Sequence, residues 1–281
     1  METMKKLLLI LTLTGFGLLA NAQKFYINVN TGYALKMGSQ HSGFWALYNY
    51  SVQSSTDYLS VKPFSFGQGL HTNINIGYII NKNVGAELGF SYIYGYKFKA
   101  TEESDNSHDT KKLTSVYSRI KIINPSIVFY SNNENKINLF SKVGFLIAKP
   151  IVNIDYELTQ YEYPDTITMH TIIKKYKLYD NFSFGISTTL GVNYAISKKI
   201  NLTFDLTYQT LSFTPKKQSM IKYTKDGNDL LDNETTSAKE TEFVNTISSD
   251  DNQFSSVPTK NLKFALPISS IGFNLGLSYK F

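Results

Sequence analysis

Hydrophobic and polar positions alternate along most of this chain. Near its end Ile271, Phe273, Leu275, Leu277, Tyr279 and Phe281 are apolar or aromatic, with Gly272, Asn274, Gly276, Ser278 and Lys280 between them. A period of two places the first set on one face of a β-strand and the second set on the other. The same alternation runs through Phe25–Leu35, Leu70–Ile80, Val84–Phe98, Ile137–Ile147, Phe182–Tyr194 and Ile200–Tyr208. Leu113–Ser131 alternates too, but its phase changes: Val116, Ile120 and Ile122 share one parity, and Ile123, Pro125, Ile127 and Phe129 share the other. The change predicts a β-bulge at Ile122-Ile123. Pro125 has no N–H to donate, which fits a break in the ladder there. Eight strands result.

The connections alternate as well. Asn81–Asn83, Asn132–Lys136 and Ser197–Lys199 are short, whereas Met37–Gly69, Ala100–Lys112, Pro150–Tyr176 and Ser212–Thr259 are long. An even number of strands, with short turns at one end and long loops at the other, describes an all-β fold: an eight-stranded antiparallel up-and-down transmembrane barrel. The short turns and both termini belong to the periplasm, and the long loops to the outside. Tyr92, Tyr94 and Tyr96 at one end, and Tyr279 and Phe281 at the other, stand where two aromatic girdles meet the headgroups, with aliphatic residues such as Leu88 and Leu275 between.

The first 22 residues have another pattern. Lys5 and Lys6 precede the apolar run Leu7–Ala20, and Ala20-Asn21-Ala22 supplies small residues for cleavage. That is the pattern of a secretory signal peptide, and a run of 14 residues is too short to span a bilayer as a helix. The expected organisation is a signal peptide over 1–22 and a barrel domain over 23–281, exported and cleaved near Ala22.

Composition narrows the functions. There is no cysteine, so disulfides, thiolate metal sites and a cysteine nucleophile are excluded. Tyr and Phe together number 39, while charged residues are 18%, which is not the profile of a disordered chain. The formal charge is +6, and it falls by one when Glu2, Lys5 and Lys6 leave with the signal. The charge is spread in both signs, unlike the clustered basic footprint of a nucleic-acid binder, so no nucleic acid is expected.

At this point the chain resembles the eight-stranded outer-membrane β-barrel domain family, the small porin-A-type and PorT-like barrels of Gram-negative bacteria. The resemblance rests on Ala20-Asn21-Ala22, the eight strands, Asn124-Pro125-Ser126-Ile127-Val128-Phe129 and the ending Gly276-Leu277-Ser278-Tyr279-Lys280-Phe281. It covers the mature chain and implies residence in the cell outer membrane among lipid and lipopolysaccharide. It also implies that the C-terminal strand, with its last aromatic, is read by the barrel assembly machinery. The resemblance is to the barrel alone, so peptidoglycan anchoring is not expected.

The interior of an eight-stranded barrel is filled by side chains. By parity Glu87, Lys142, Asp205 and Lys280 point inward, and the bulge adds Arg119 and Lys121. Such charges must pair. Lys142 and Asp205 lie at similar distances from their periplasmic turns and are expected to meet, with Glu87 meeting Lys121 or Lys280. The network either plugs the barrel or gates a narrow pore.

Candidate chemistry is sparse. The histidines are His41, His71, His108 and His170, and Ser107-His108 are strand neighbours that face opposite ways, which is not a nucleophile–base pair. Metalloprotease, P-loop and dinucleotide motifs are absent. Glu102, Glu103, Asp105 and Asp109 could hold a divalent cation, but without the spacing of a calcium loop. No enzyme activity, cofactor or metal is expected. The first long loop carries Phe44, Trp45, Tyr48, Tyr50 and Tyr58, an aromatic set that either packs on the rim or recognises a protein or glycan. The third loop alternates and extends strands five and six as a hairpin. The fourth, with eight acids and five lysines, reads as exposed and mobile. The leading expectation is a structural or binding barrel. Its rivals are a narrow diffusion pore, an outer-leaflet lipid-modifying enzyme, and a secreted lipocalin-like barrel with its apolar face turned inward around a ligand.

Overall fold

A computed structural model describes residues 24–37, 47–53, 56–62, 64–104, 110–132, 134–162, 168–248 and 250–281. Residues 1–22, where a signal peptide is expected, and Phe44, Trp45, Ser107, His108, His41, Asp105 and Asp109 lie outside the described residues.

Among the described residues, eight strands close into a ring: β1 (Phe25–Lys36), β2 (Gly69–Ile79), β3 (Val84–Gly95), β4 (Thr110–Tyr130), β5 (Ile137–Glu162), β6 (Ser183–Ala195), β7 (Ile200–Phe213) and β8 (Ser270–Lys280). Each pairs antiparallel with its sequence neighbours, and β8 pairs back on β1, with Ile27 opposite Tyr279 and Leu35 opposite Ile271. Closure removes the open edges that an apolar sheet could not carry into a bilayer. Polar side chains close the short turns: Asn81 Oδ1 accepts from Val84 N (2.9 Å), Asn132 Oδ1 from Glu134 N (3.1 Å) and Ser197 Oγ from Ile200 N (3.0 Å).

The parity reading holds for which face is outside. Val29, Ile74, Leu88, Phe90, Leu190 and Leu275 all stand exposed on the outer wall. Aromatic pairs mark the periplasmic rim, with Phe25 against Tyr78 (4.9 Å) and Tyr279 against Phe281 (5.3 Å) between ring centres. An apolar outer wall excludes the lipocalin-like reading, which needs those residues inside. Leu275→Arg, at a position 55% exposed on this wall, should cost about 2–4 kcal/mol near the midplane. Urea unfolding in vesicles measures it, and the same substitution at an inward position gives no such depth dependence.

The predicted bulge is not there. Across β4 and β5 the register is the same above and below the phase change, Ile123 facing Ile147 and Ser126 facing Gly144. Across β3 it also runs unbroken, Ile93 opposite Ile120 and Leu88 opposite Pro125. Pro125 does interrupt pairing on the β5 side, where Asn124 and Pro125 have no ladder partner. What changes along β4 is the interior, not the phase. Its even-numbered residues face inward throughout. They pass from Ser126 and Asn124 in a polar lumen to Ile122, Ile120 and Val116 in an apolar core. Arg119 and Lys121 consequently face outward.

Above the barrel the strands continue. The Phe98–Ser104 strand pairs with the top of β4, which pairs with the top of β5. β5 pairs with the Thr168–Tyr179 strand as the expected hairpin, and this pairs with Lys217–Lys225. On the far side the hairpin of Leu47–Gln53 and Thr56–Lys62 joins through Tyr50 opposite Glu102. The result is one extracellular sheet. The fourth connection is folded rather than irregular. It supplies Lys217–Lys225, a short α-helix at Thr236–Lys239, and the parallel pair Glu240–Val244 and Thr259–Leu262. Its polar composition is used locally: Thr235 caps the helix, and Lys260 binds Asp251 at 2.6 Å.

Candidate functional site

Two chain segments turn into the extracellular mouth of the barrel. Phe64–Gln68, arriving at β2, meets Leu266–Ile268, arriving at β8. Phe66 N donates to Pro267 O (2.9 Å), Ser65 Oγ to Ser269 O (2.8 Å) and Ile268 N to Leu211 O (3.0 Å). From the wall, Ser118 Oγ donates to Phe66 O at 2.6 Å. Gly67 is required at this crossing, because a Cβ there would run into the Ile268 carbonyl. The side chains Phe66, Ile93, Ile120, Leu146, Phe213 and Ile268 are fully buried in one apolar cluster that fills the mouth. It continues upward to Ile154, Leu178 and Phe243 beneath the extracellular sheet.

Below the seal the lumen is polar. Lys142 Nζ binds Glu87 Oε2 at 2.6 Å, and Tyr26 donates its hydroxyl to Glu87 Oε1 at 2.6 Å. Tyr130 Oη lies 2.8 Å from Tyr26 Oη and extends the chain. Gly77 makes room for the Tyr26 ring, which a Cβ would overlap. These groups surround a cavity with about 20 Å³ of water-accessible space, which Lys280 also lines; that is room for roughly one water molecule.

The expected Lys142–Asp205 pair is replaced. Asp205 stands directly opposite Asn274 on the adjacent strand. It accepts from Asn274 Nδ2 (2.6 Å), Thr207 Oγ1 (3.0 Å) and Asn30 Nδ2 (3.3 Å). The Asn274 amide on the adjacent strand, with Thr207 on the same strand and Asn30 on β1, satisfies the carboxylate, and Lys142 turns to Glu87. Lys121 is on the outer wall and cannot meet Glu87. Arg119, also outside, lies over the Tyr94 ring at 3.4 Å and donates to Ser118 O at 2.7 Å.

The histidine and acid candidates are separate. His71 is buried, with Nε2 3.2 Å from Gly67 O. His170 Nδ1 is 2.7 Å from Asp226 Oδ2 at the tip of the extracellular sheet, and that contact holds the Asp226 carboxyl below its ordinary range. Glu102 is taken up by Lys112 at 3.1 Å. No cluster of three metal-ligating side chains occurs among the described residues.

Residues 8–239 match the family model for the outer membrane protein beta-barrel domain. The chain belongs to this family. Its place is the cell outer membrane, and its fold is that of the small outer-membrane barrels. Solved structures with similar folds include Neisserial surface protein A, at 12% identity over 92% of this chain and 97% of that one, with a TM-score of 0.39. OprG from Pseudomonas aeruginosa is similar at 8% identity over 92% and 95%, with a TM-score of 0.43. Ail, the attachment invasion locus protein of Yersinia pestis, is similar at 11% identity over 92% and 99%, with a TM-score of 0.29. No curated protein matches the sequence.

Within this barrel, sequence reasoning did not bring out Tyr26 and Tyr130, and it set the lumen asparagines on the polar parity without giving them a role. Phe25-Tyr26-Ile27 is apolar or aromatic at all three positions, so alternation alone could not turn Tyr26 inward. Asn28, Asn30, Asn75, Asn138, Asn201 and Asn274 are all buried. Their common parity was the available signal. An amide both donates and accepts, so such a lining solvates a carboxylate without a cation.

Proposed function

We propose that this outer-membrane barrel is a closed scaffold that holds its extracellular sheet out to a protein or glycan partner. The supporting observation is the seal. Phe64–Gln68 and Leu266–Ile268 fill the mouth with apolar side chains, and the polar cavity beside Glu87 and Lys142 has about 20 Å³ of water-accessible space; an apolar plug above so small a polar space supports a barrel closed to water. In this reading the Glu87–Lys142 pair is structural, and Asp205, held by neutral donors, braces β7 against β8 and β1. Arg119, Lys121 and Lys280 take no part in a gate.

The aromatic set Phe44, Trp45, Tyr48, Tyr50 and Tyr58 supplies the partner contacts. Tyr50 belongs to the hairpin strand Leu47–Gln53, which joins the sheet edge, and rigid aromatic anchors are favoured at recognition surfaces. Residues 1–22 serve export and are removed near Ala22. The C-terminal strand is the segment presented to the assembly machinery. No catalytic role is assigned to any residue.

Two measurements on the full mature protein test this. In planar bilayers it should give no stepwise current, in the wild type and in Lys142→Ala alike. Trp45 is the single tryptophan, so its emission should change on titration with an envelope glycan or surface protein that binds, and Trp45→Ala should weaken that binding at least tenfold. Stepwise conductance by the wild type, or binding unchanged in Trp45→Ala, overturns the reading.

A further inference from the structure

The two cations that the sequence pattern turned inward lie together on the outer wall with a third. Lys121 on β4 is directly opposite Lys149 on β5, and Arg119 is one outward step above Lys121. Both lysines are exposed. Like charges at opposed positions are destabilising in a sheet. No described carboxylate forms an ion pair with any of the three. Asp155, farther up the same face of β5, is held by Lys97 at 2.7 Å.

The height of the cluster is informative. Lys121 is eight residues above Phe129 on β4, which at the rise and tilt of a barrel strand is about 20 Å along the axis. That is the top of the apolar band, at the outer-leaflet boundary. Directly below lie Ile123, Phe90, Phe145 and Phe184, all exposed, with Phe145 and Phe184 stacked at 6.0 Å. Beside it, an open groove runs past Arg119, Lys97, Tyr94, Tyr117, Leu70 and Tyr33. Cations above an aromatic and aliphatic wall match an anionic headgroup above acyl chains.

We propose that Arg119, Lys121 and Lys149 bind the phosphate of a phosphorylated glycolipid of the outer leaflet, whose acyl chains lie on Ile123, Phe90, Phe145 and Phe184. The phosphate relieves the opposed lysines. Arg119, held by the Tyr94 ring and the Ser118 carbonyl, is preset to receive it.

The test uses the full mature protein in nanodiscs of neutral phospholipid containing either bis-phosphorylated lipid A or the same lipid A with its phosphates removed. Retained lipid is counted by native mass spectrometry. Wild type should keep the phosphorylated form preferentially. Each cation near the surface contributes roughly fivefold, so the triple variant Arg119→Gln, Lys121→Gln, Lys149→Gln should retain it on the order of a hundredfold more weakly. Its retention of the dephosphorylated lipid should not change. Lys82→Gln and Lys136→Gln, at the periplasmic turns, should behave as wild type. Should the triple variant not fold, Lys121→Gln alone and the wild-type preference between the two lipids decide. Equal retention of both lipids by the wild type, unchanged retention in the variant, or full displacement by millimolar inorganic phosphate each overturns the proposal.

Discussion

Glu87→Ala is expected to destabilise the barrel by about 3–5 kcal/mol. Glu87 and Lys142 have side chains only 3% and 11% exposed and meet at 2.6 Å. Removing the carboxylate leaves the lysine charge in the lumen without its counter-ion, and takes from the Tyr26 hydroxyl its charged acceptor, with only the Tyr130 hydroxyl left as a partner. The cost is that of the orphaned partners rather than the net worth of the pair. The control is therefore Glu87→Gln with Lys142→Met, which removes both charges and keeps the volume. That double variant should recover most of the loss, so a double-mutant cycle should give a coupling of a few kcal/mol. Urea unfolding of the protein in vesicles, read by gel migration with and without heating, measures Glu87→Ala and the four corners of that cycle: wild type, Glu87→Gln, Lys142→Met and the double variant. A Glu87→Ala protein within about 1 kcal/mol of wild type would show that water reaches Lys142 freely, and the lumen would then be open from below.

The second large effect belongs to the seal. Phe66→Ala should cost about 3–5 kcal/mol. Phe66 is 2% exposed, with the edge of Phe64 against it at 5.1 Å. Around it stand Ile93, Ile120, Leu146, Phe213 and Ile268, from four strands and the opposing segment. Those strands are fixed by their own ladders, so the cavity cannot collapse, and the loss falls at the upper end of the range. The Phe64–Gln68 segment should also loosen, because it then loses its largest apolar anchor and is held mainly by hydrogen bonds to Ser118, Pro267, Ser269, His71 and Tyr96. Faster cleavage by external protease between β1 and β2, with the lower barrel still resistant, is the expected signature. A variant with wild-type stability and cleavage would show that the segment does not occupy the mouth in the membrane.

Period-two alternation determined the strand number, the outward face and the place of each short turn, because a barrel in lipid needs one greasy face on every strand whatever fills its centre. Phe273, Leu275 and Leu277 could be assigned outward from the sequence alone, and they are outward. The same logic misled on β4. Alternation registers contrast, and Ile120 and Ile122 are as apolar as the lipid-facing Ile123 and Ile127, so a dry core inside looked like a change of phase. Whether the interior is wet or dry depends on Phe66 and Ile268, which arrive from segments distant in sequence.

Charge partners were undecided for a related reason. A residue count up from each turn places Lys142 and Asp205 at one height, but register places Asn274 beside Asp205. Composition likewise described the fourth connection as solvated, and it is. Yet strand pairing with Thr168–Tyr179 gives its backbone partners that composition does not report.

The sequence by itself determined a membrane barrel and its two ends, since those follow from local patterning against a fixed solvent. Only the tertiary structure decided that an apolar cluster fills the extracellular mouth, which carboxylate Lys142 meets, and that Arg119, Lys121 and Lys149 gather on the outer wall. Each of these turns on which residues from separate strands become neighbours, and barrel closure and register set that.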